Sequence, residues 1–360
     1  MKFVQISKIE SAWDNVVFTT LSPSTFSWVS NGCAYQVMLQ EALKSFKNRA
    51  LTLPSNKNAI LGTIIHKIYE LTVKGQLQNI PDLINKWEEL ISIEENNLKS
   101  IYPTLSNIGL NDYNKRNKAI LYAKSMMKPA IHTRATGEER TTYAERRLDC
   151  PNLGLRGIVD KMLIEDGFVD LIDYKSGGVT DGNGNIKKEY VTQLHLYAAM
   201  CQDLRIGTPR SLILIDIDGK KHNISYDQVY SNSLLNEVKS TIQKLNSAIK
   251  TRDFSSYVKP DLGMCTFCSC RHVCKYINIP IDSHYKTLTG KVEDMPSTNM
   301  YALRNASDTI YVSGMDAYSV DNPQEYIGKI LTFVNIARAS QVADDYTYKV
   351  TENTLIYEQL

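Results

Sequence analysis

Three short segments between Tyr143 and Gly177 narrow the possible folds of this chain more than any other feature. YAERRLDC, LGLRGIVDKMLIED and GFVDLIDYKSG are rich in β-branched residues and separated by Pro-Asn-Leu-Gly and Asp-Gly turns, the pattern of a strand meander. EYVTQLHLYAAMCQ then returns to helical spacing, RSLILIDID reads as a buried strand, and Asp227 to Thr251 as another helix. Strands followed by a helix and a further strand predict a mixed α/β core. Ahead of the meander, from Ser22 to about Lys128, the pattern is helical. SPSTFSWVSNGCAYQVMLQEAL, LGTIIHKIYELTVKG, Ile80 to Ser100 and Asp112 to Met127 carry it.

After Ile281 the texture changes again. LTGKVEDM, TIYVSGMDAYSV, YIGKILTFVNIARASQ and YTYKVTENTLIYEQL alternate like strands, predicting a small β domain of barrel size. The expected division is therefore 1–281 and 282–360. The net charge of +2 neither predicts nor excludes a nucleic-acid partner, since a local groove of Lys and Arg can dominate at a phosphate backbone. No apolar run approaches the roughly 18–20 residues that span a bilayer, so no membrane partner is expected. The opening MKFVQISKIESAWD has acids where a secretory segment needs apolar residues, which predicts a cytoplasmic protein.

Asp160 ends an apolar run in LRGIVDKM, and Asp173 and Lys175 are two apart in VDLIDYKSG, so they share a strand face. Two carboxylates and an ammonium converging on one sheet face are costly to leave unpaired. A divalent cation between the carboxylates offsets that cost, and the lysine then faces a water or a phosphate oxygen. Hard oxygen ligands hold Mg²⁺ or Mn²⁺, which neutralise a phosphate and activate water. Taken alone, the same Asp-x-Lys is a surface ion pair. His66, on the helix LGTIIHKIYE, would add a nitrogen ligand favouring Mn²⁺, or would be a satisfied core histidine. Gln193 and Tyr197 share a helix face. Either the tyrosine packs and the glutamine faces solvent, or the pair positions the phosphate backbone and the lysine.

Laid out in order, Gly62-x-x-x-His66, Gly157-Ile158-Val159-Asp160, Asp173-Tyr174-Lys175 and Gln193-x-x-x-Tyr197 resemble the RecB-like branch of the PD-(D/E)XK nuclease superfamily. The resemblance spans about residues 20–280. It implies a restriction-endonuclease-like core with a metal held by His66, Asp160, Asp173 and the Tyr174 carbonyl, and Lys175 as the catalytic lysine. Glu145, in YAERRL, reads either as an auxiliary acid or as a solvated strand residue.

Seven cysteines without a disulfide pattern, four of them within ten residues, point to a metal group. Cys265-x2-Cys268-x5-Cys274 with the distant Cys33 resembles the iron–sulfur staple of AddB-type and CRISPR-associated RecB-like nucleases, which implies a [4Fe–4S] cluster. Zinc is the alternative occupant. Two departures from that pattern are Cys270, an extra candidate ligand, and Ala34, where such proteins often have proline. The tail resembles an OB-type barrel, which often binds single strands through stacked aromatics; simple packing is the other reading of its tyrosines. The resemblance implies a metal-dependent deoxyribonuclease acting on single-stranded DNA or DNA ends. Its expected partner is a helicase or a subunit of a repair, phage or defence complex. A non-catalytic DNA-binding or scaffold subunit is the alternative.

Overall fold

A computed structural model of the chain describes residues 2–105, 108–127, 141–277, 286–305, 308–318, 320–342 and 345–360. The boundary expected at 281 and Tyr285 lie outside them. After a short strand β1 (Val4–Ile6), the chain forms five helices: α1 (Pro23–Asn31), α2 (Ala34–Ser45), α3 (Lys57–Val73), α4 (Ile80–Ile101) and α5 (Tyr113–Met126). Ser22, Asn56, Asn79 and Asp112 each accept a backbone N–H at the N-terminus of α1, α3, α4 and α5 respectively, filling otherwise orphaned donors. The helical stretch after Ser22 is broken once, at Gly32. A Cβ there would lie 2.9 Å from the Trp28 carbonyl oxygen, and Cys33 follows in extended conformation at the break.

The meander forms as expected: β2 (Thr141–Cys150), β3 (Leu155–Glu165) and β4 (Phe168–Lys175) pair antiparallel. Helix α6 (Lys188–Asp203) crosses to β5 (Thr208–Asp216), which lies parallel to β4, and β6 (Lys221–Ile224) adds an outer strand that its four residues are too short to announce. The sheet order is β2-β3-β4-β5-β6. Alternation along β4 divides its two faces. Tyr174 packs against Tyr69 of α3 and Tyr122 of α5, whereas Asp173 and Lys175 meet Gln193 of α6. Helix α7 (Gln228–Thr251) packs on α6, and α8 (Leu262–Phe267) opens the cysteine-rich loop.

The C-terminal strands are β7 (Lys286–Ser297), β8 (Met300–Asn305), β9 (Asp308–Ser313), β10 (Ile330–Val342), β11 (Asp345–Lys349) and β12 (Leu355–Gln359). Pairing runs β7-β8-β9-β11-β10 and closes from β10 back to β7, making a five-stranded barrel in which β9 and β11 run parallel. β12 extends the sheet beyond β10, and β1 pairs parallel with β12. The first strand therefore belongs with the C-terminal sheet, although the division 1–281 assigns it to the other unit, and Phe3 enters the barrel core. Tyr301, Tyr318, Tyr326, Tyr348 and Tyr357 are buried, so these tail tyrosines pack and offer no stacking platform. Among the described residues, no helix is long and apolar enough to cross a membrane.

Candidate active site

β3 and β4 pair from Glu165↔Phe168 to Lys161↔Ile172 and then diverge, while β4 stays paired with β5 as far as Lys175↔Asp216. Asp160 stands in the fork that opens. Its Oδ2 accepts the backbone N–H of Tyr174 at 2.7 Å, replacing the ladder bond that the missing strand pair would have made. A strand residue directs its N–H and C=O to the same side, so the Tyr174 carbonyl also faces β3 beside Asp160.

From α3, the His66 imidazole Nδ1 lies 3.3 Å from Asp160 Oδ1. Burial disfavours its charged form, but the Asp160 carboxylate outweighs burial and raises the His66 pKa. Gly62, one turn earlier, lets α3 approach the end of β4: a Cβ there would lie 2.8 Å from Ser176 Oγ. The glycine of the first motif thus sits against the end of β4, where a side chain would have to displace only the Ser176 hydroxyl.

Asp173 is 4% exposed. Its Oδ1 accepts a hydrogen bond from Gln193 Nε2 at 3.0 Å. Its Oδ2 faces the Lys175 ammonium at 2.7 Å as an ion pair, yet receives no well-directed hydrogen bond. Burial pushes the Asp173 carboxyl up to about 6 against the pull of Lys175. For Lys175 burial works downward, and the Asp173 carboxylate overcomes it and raises the pKa. Lys175 also donates to Gln193 Oε1 at 3.1 Å and lies 4.6 Å from the centre of the Tyr190 ring. One glutamine thus fixes both the acid and the lysine.

Tyr197 has the surroundings of its packing reading. It is 4% exposed, and its hydroxyl donates to the Ile158 carbonyl at 2.7 Å. A Cβ at Gly157 would lie 2.8 Å from its ring. The tyrosine therefore locks α6 onto β3 next to Asp160, and the glycine of the second motif makes room for it.

Glu145 is where the solvated-strand reading fails. Its φ of +53° is rare for a residue other than glycine and costs about 1–3 kcal/mol. β2 and β3 pair at Ala144↔Lys161 and Arg146↔Val159 but not between Glu145 and Asp160. The bend brings Glu145, Asp160 and His66 together, with donor atoms all within 4.8 Å of one another, the one such group among the described residues. Burial, and after it the Asp160 charge, pushes the Glu145 carboxyl up to about 7. Crowded acids and an Asp173 oxygen without a directed donor are the environment a divalent cation relieves. The residues fit such an ion, with Glu145 added to the expected set.

Cys33, Cys265, Cys268 and Cys274 line one small pocket between α2 and the loop after α8. Cys270 does not line it. Its thiol is fully buried, 3.9 Å from the Gln36 carbonyl oxygen. Among the described residues, no three cysteine sulfurs come within 4.8 Å of one another, so the thiols share a pocket without closing on one centre.

The family model of the PD-(D/E)XK nuclease superfamily matches residues 20–275, more than two thirds of the sequence. The chain belongs to the PD-(D/E)XK nuclease superfamily. The match takes in all the residues of the fork and all four cysteines of the pocket, and it stops before the barrel. No curated protein matches the sequence of this nuclease. Among solved structures it is similar to a candidate exonuclease from Eubacterium rectale, at 13% identity and a TM-score of 0.40, covering 75% of this chain and 93% of that one. A likeness that distant fixes neither the substrate nor the mode of cleavage.

Proposed function

We propose that this nuclease is a divalent-metal-dependent deoxyribonuclease that hydrolyses phosphodiester bonds in single-stranded DNA or at DNA ends. The fork between β3 and β4 carries the reading, because it places Asp160, Asp173 and Lys175 together with His66 and Glu145. His66, Asp160, Asp173, the Tyr174 carbonyl and Glu145 are the groups that would hold Mg²⁺ or Mn²⁺. When bound, the ion neutralises charge on the phosphate and lowers the pKa of water beside it.

The chain's own groups do the rest. Lys175 stays protonated beside Asp173 and presents positive charge where the phosphate oxygens gather charge during attack. Gln193 prevents the lysine from swinging away, and Tyr190 lies beneath it. Tyr197 and Gly157 keep β3, and with it Asp160, at a fixed distance from β4.

For the cysteine pocket we keep the [4Fe–4S] reading over zinc. A zinc ion with Zn–S bonds of about 2.3 Å needs its sulfurs roughly 4 Å apart, whereas among the described residues no three cysteine sulfurs lie within 4.8 Å of one another. An iron–sulfur cube holds its ligands farther apart. The barrel's ring order, first-second-third-fifth-fourth with the third and fifth strands parallel, supports the OB-type reading of the tail. Action beside a helicase or within a repair, phage or defence complex belongs to the same RecB-like reading. The deciding experiment is incubation of purified protein with end-labelled single- and double-stranded DNA in Mg²⁺, Mn²⁺ or EDTA. Shortened products with metal and none with EDTA are expected; no cleavage under any metal would reject the activity.

A further inference from the structure

Two cavities lie side by side on the face away from α6. The first, about 560 Å³, opens between the end of α2, the start of α3 and α4. The second, about 530 Å³, opens between α3, the cysteine-rich loop and the 351–353 turn of the barrel. Pro54, Ser55, Ile60 and Leu98 line both, so the two form one groove. It reaches Thr63, which lies three residues before His66 on α3, about 4.5 Å along the helix axis. One end of the groove is therefore the barrel, and the other is the threshold of the candidate active site.

The lining suits a strand of nucleic acid. Ile60 and Leu98 give an apolar floor, and Phe267 stands 55% exposed at the wall nearest the barrel. Lys47 and Arg49 stand exposed on the rim, and among the described residues neither forms an ion pair. Lys47 carries a further mark. It follows the C-terminus of α2 with φ of +55°, the left-handed position where helices ordinarily place glycine. A lysine held there keeps a free ammonium over the groove at a local conformational cost.

We propose that this groove binds single-stranded nucleic acid and leads it from the barrel to His66 and Asp160, with Lys47 and Arg49 contacting phosphates. The proposal rests on the nuclease reading above and adds the route and the phosphate contacts of its substrate. Base stacking on the exposed Phe267 ring and phosphate pairing on the rim are the two interactions that sequence-independent single-strand binding combines.

The test uses the full chain in EDTA, so that binding is read without cleavage, and a fluorescein-labelled oligothymidylate as probe. Fluorescence anisotropy is followed across a salt series for the parent, Lys47→Gly, and Lys47→Gly with Arg49→Gln. Each variant should weaken binding, roughly fivefold for the single change and more for the double, and lower the slope of log K against log salt by about 0.7 per lost contact. Lys47→Gly should melt no lower than the parent, because glycine adopts that backbone freely. Parent-like affinity and salt slope in both variants would overturn the groove while leaving the nuclease intact. A parent that binds no single strand yet cuts duplex would overturn the groove and the single-strand preference, and leave the fork's chemistry standing.

Discussion

Tyr357, at the middle of β12, donates its hydroxyl to the Ala50 carbonyl at 3.0 Å, inside the seam between the C-terminal sheet and the helical layer. The His272 ring stacks on the same tyrosine, 4.7 Å between centroids, and its Nε2 reaches the Leu51 carbonyl at 2.9 Å. Burial drives the His272 pKa down to about 3, so the ring stays neutral in that seam. Replacing Tyr357 by Phe removes one buried hydrogen bond and should cost about 1–2 kcal/mol. Deleting residues 286–360 removes the whole seam and the partner of β1, and should leave an unstable or insoluble fragment. Thermal melts of the point variant, and solubility of the truncation, check both.

Asp173→Asn and Lys175→Ala should each lower cleavage by ~10³-fold or more, since a proposed ligand carboxylate and the positive charge at the phosphate are lost. Asparagine keeps the hydrogen bond to Gln193, so the variant should stay folded. Single-turnover rates with circular dichroism on the same samples separate chemistry from folding; near-parental rates in either variant would refute the assignment.

The two motif glycines should respond differently to alanine. At Gly62 the obstacle is the Ser176 hydroxyl, which rotates away, so Gly62→Ala should be nearly neutral. At Gly157 it is the Tyr197 ring, tethered to Ile158, so Gly157→Ala should cost about 1–3 kcal/mol and slow cleavage by moving Asp160. Urea denaturation of both variants tests the contrast.

The raised Glu145 pKa predicts a pH dependence in the metal-free protein. A carboxyl at about 7 when folded and near 4.5 when unfolded binds its proton more tightly in the native state. Stability should therefore fall as pH rises from about 4.5 to 7. The loss should be about 1–3 kcal/mol after allowance for partial exposure. Mn²⁺ should remove most of that fall, because the cation replaces the proton. Melting curves across pH, with EDTA and with Mn²⁺, measure it. A Glu145→Gln variant without metal should show a smaller fall, the remainder belonging to Asp173, whose carboxyl is also raised.

Protein purified without oxygen should be brown and contain iron and sulfide. Cys33→Ser or Cys265→Ser should bleach it, while Cys270→Ser should leave the colour, because Cys270 faces the core. Colourless protein with stoichiometric zinc would replace the cluster reading.

The meander and the strand after α6 were legible, and so was the shared face of Asp173 and Lys175, because each rests on local spacing: Asp173 and Lys175 two apart, Gln193 and Tyr197 four apart. The fork was not, since nothing in the pattern of β3 and β4 says where their pairing stops. Glu145 was misplaced for a related reason: alternation assigns a residue to a face only while the backbone stays extended, and a φ of +53° breaks the count. In the barrel, tyrosine suits a core and a surface equally well, so only the structure separates Tyr348, which is buried, from Tyr311, which is half-buried. β1 is three residues long and has no period to read.

The pairing of Val4 with Tyr357 also orders events during synthesis. Strand β1 is made long before its partner β12, so its edge and Phe3 must wait until the β12 segment has been synthesised. The fork, by contrast, is complete once β5 has emerged, and all the proposed catalytic groups can assemble before the barrel exists. The seam at Tyr357 is therefore a late, long-range closure of the kind that slows folding, and nascent chains arrested before it will present an open strand edge to chaperones.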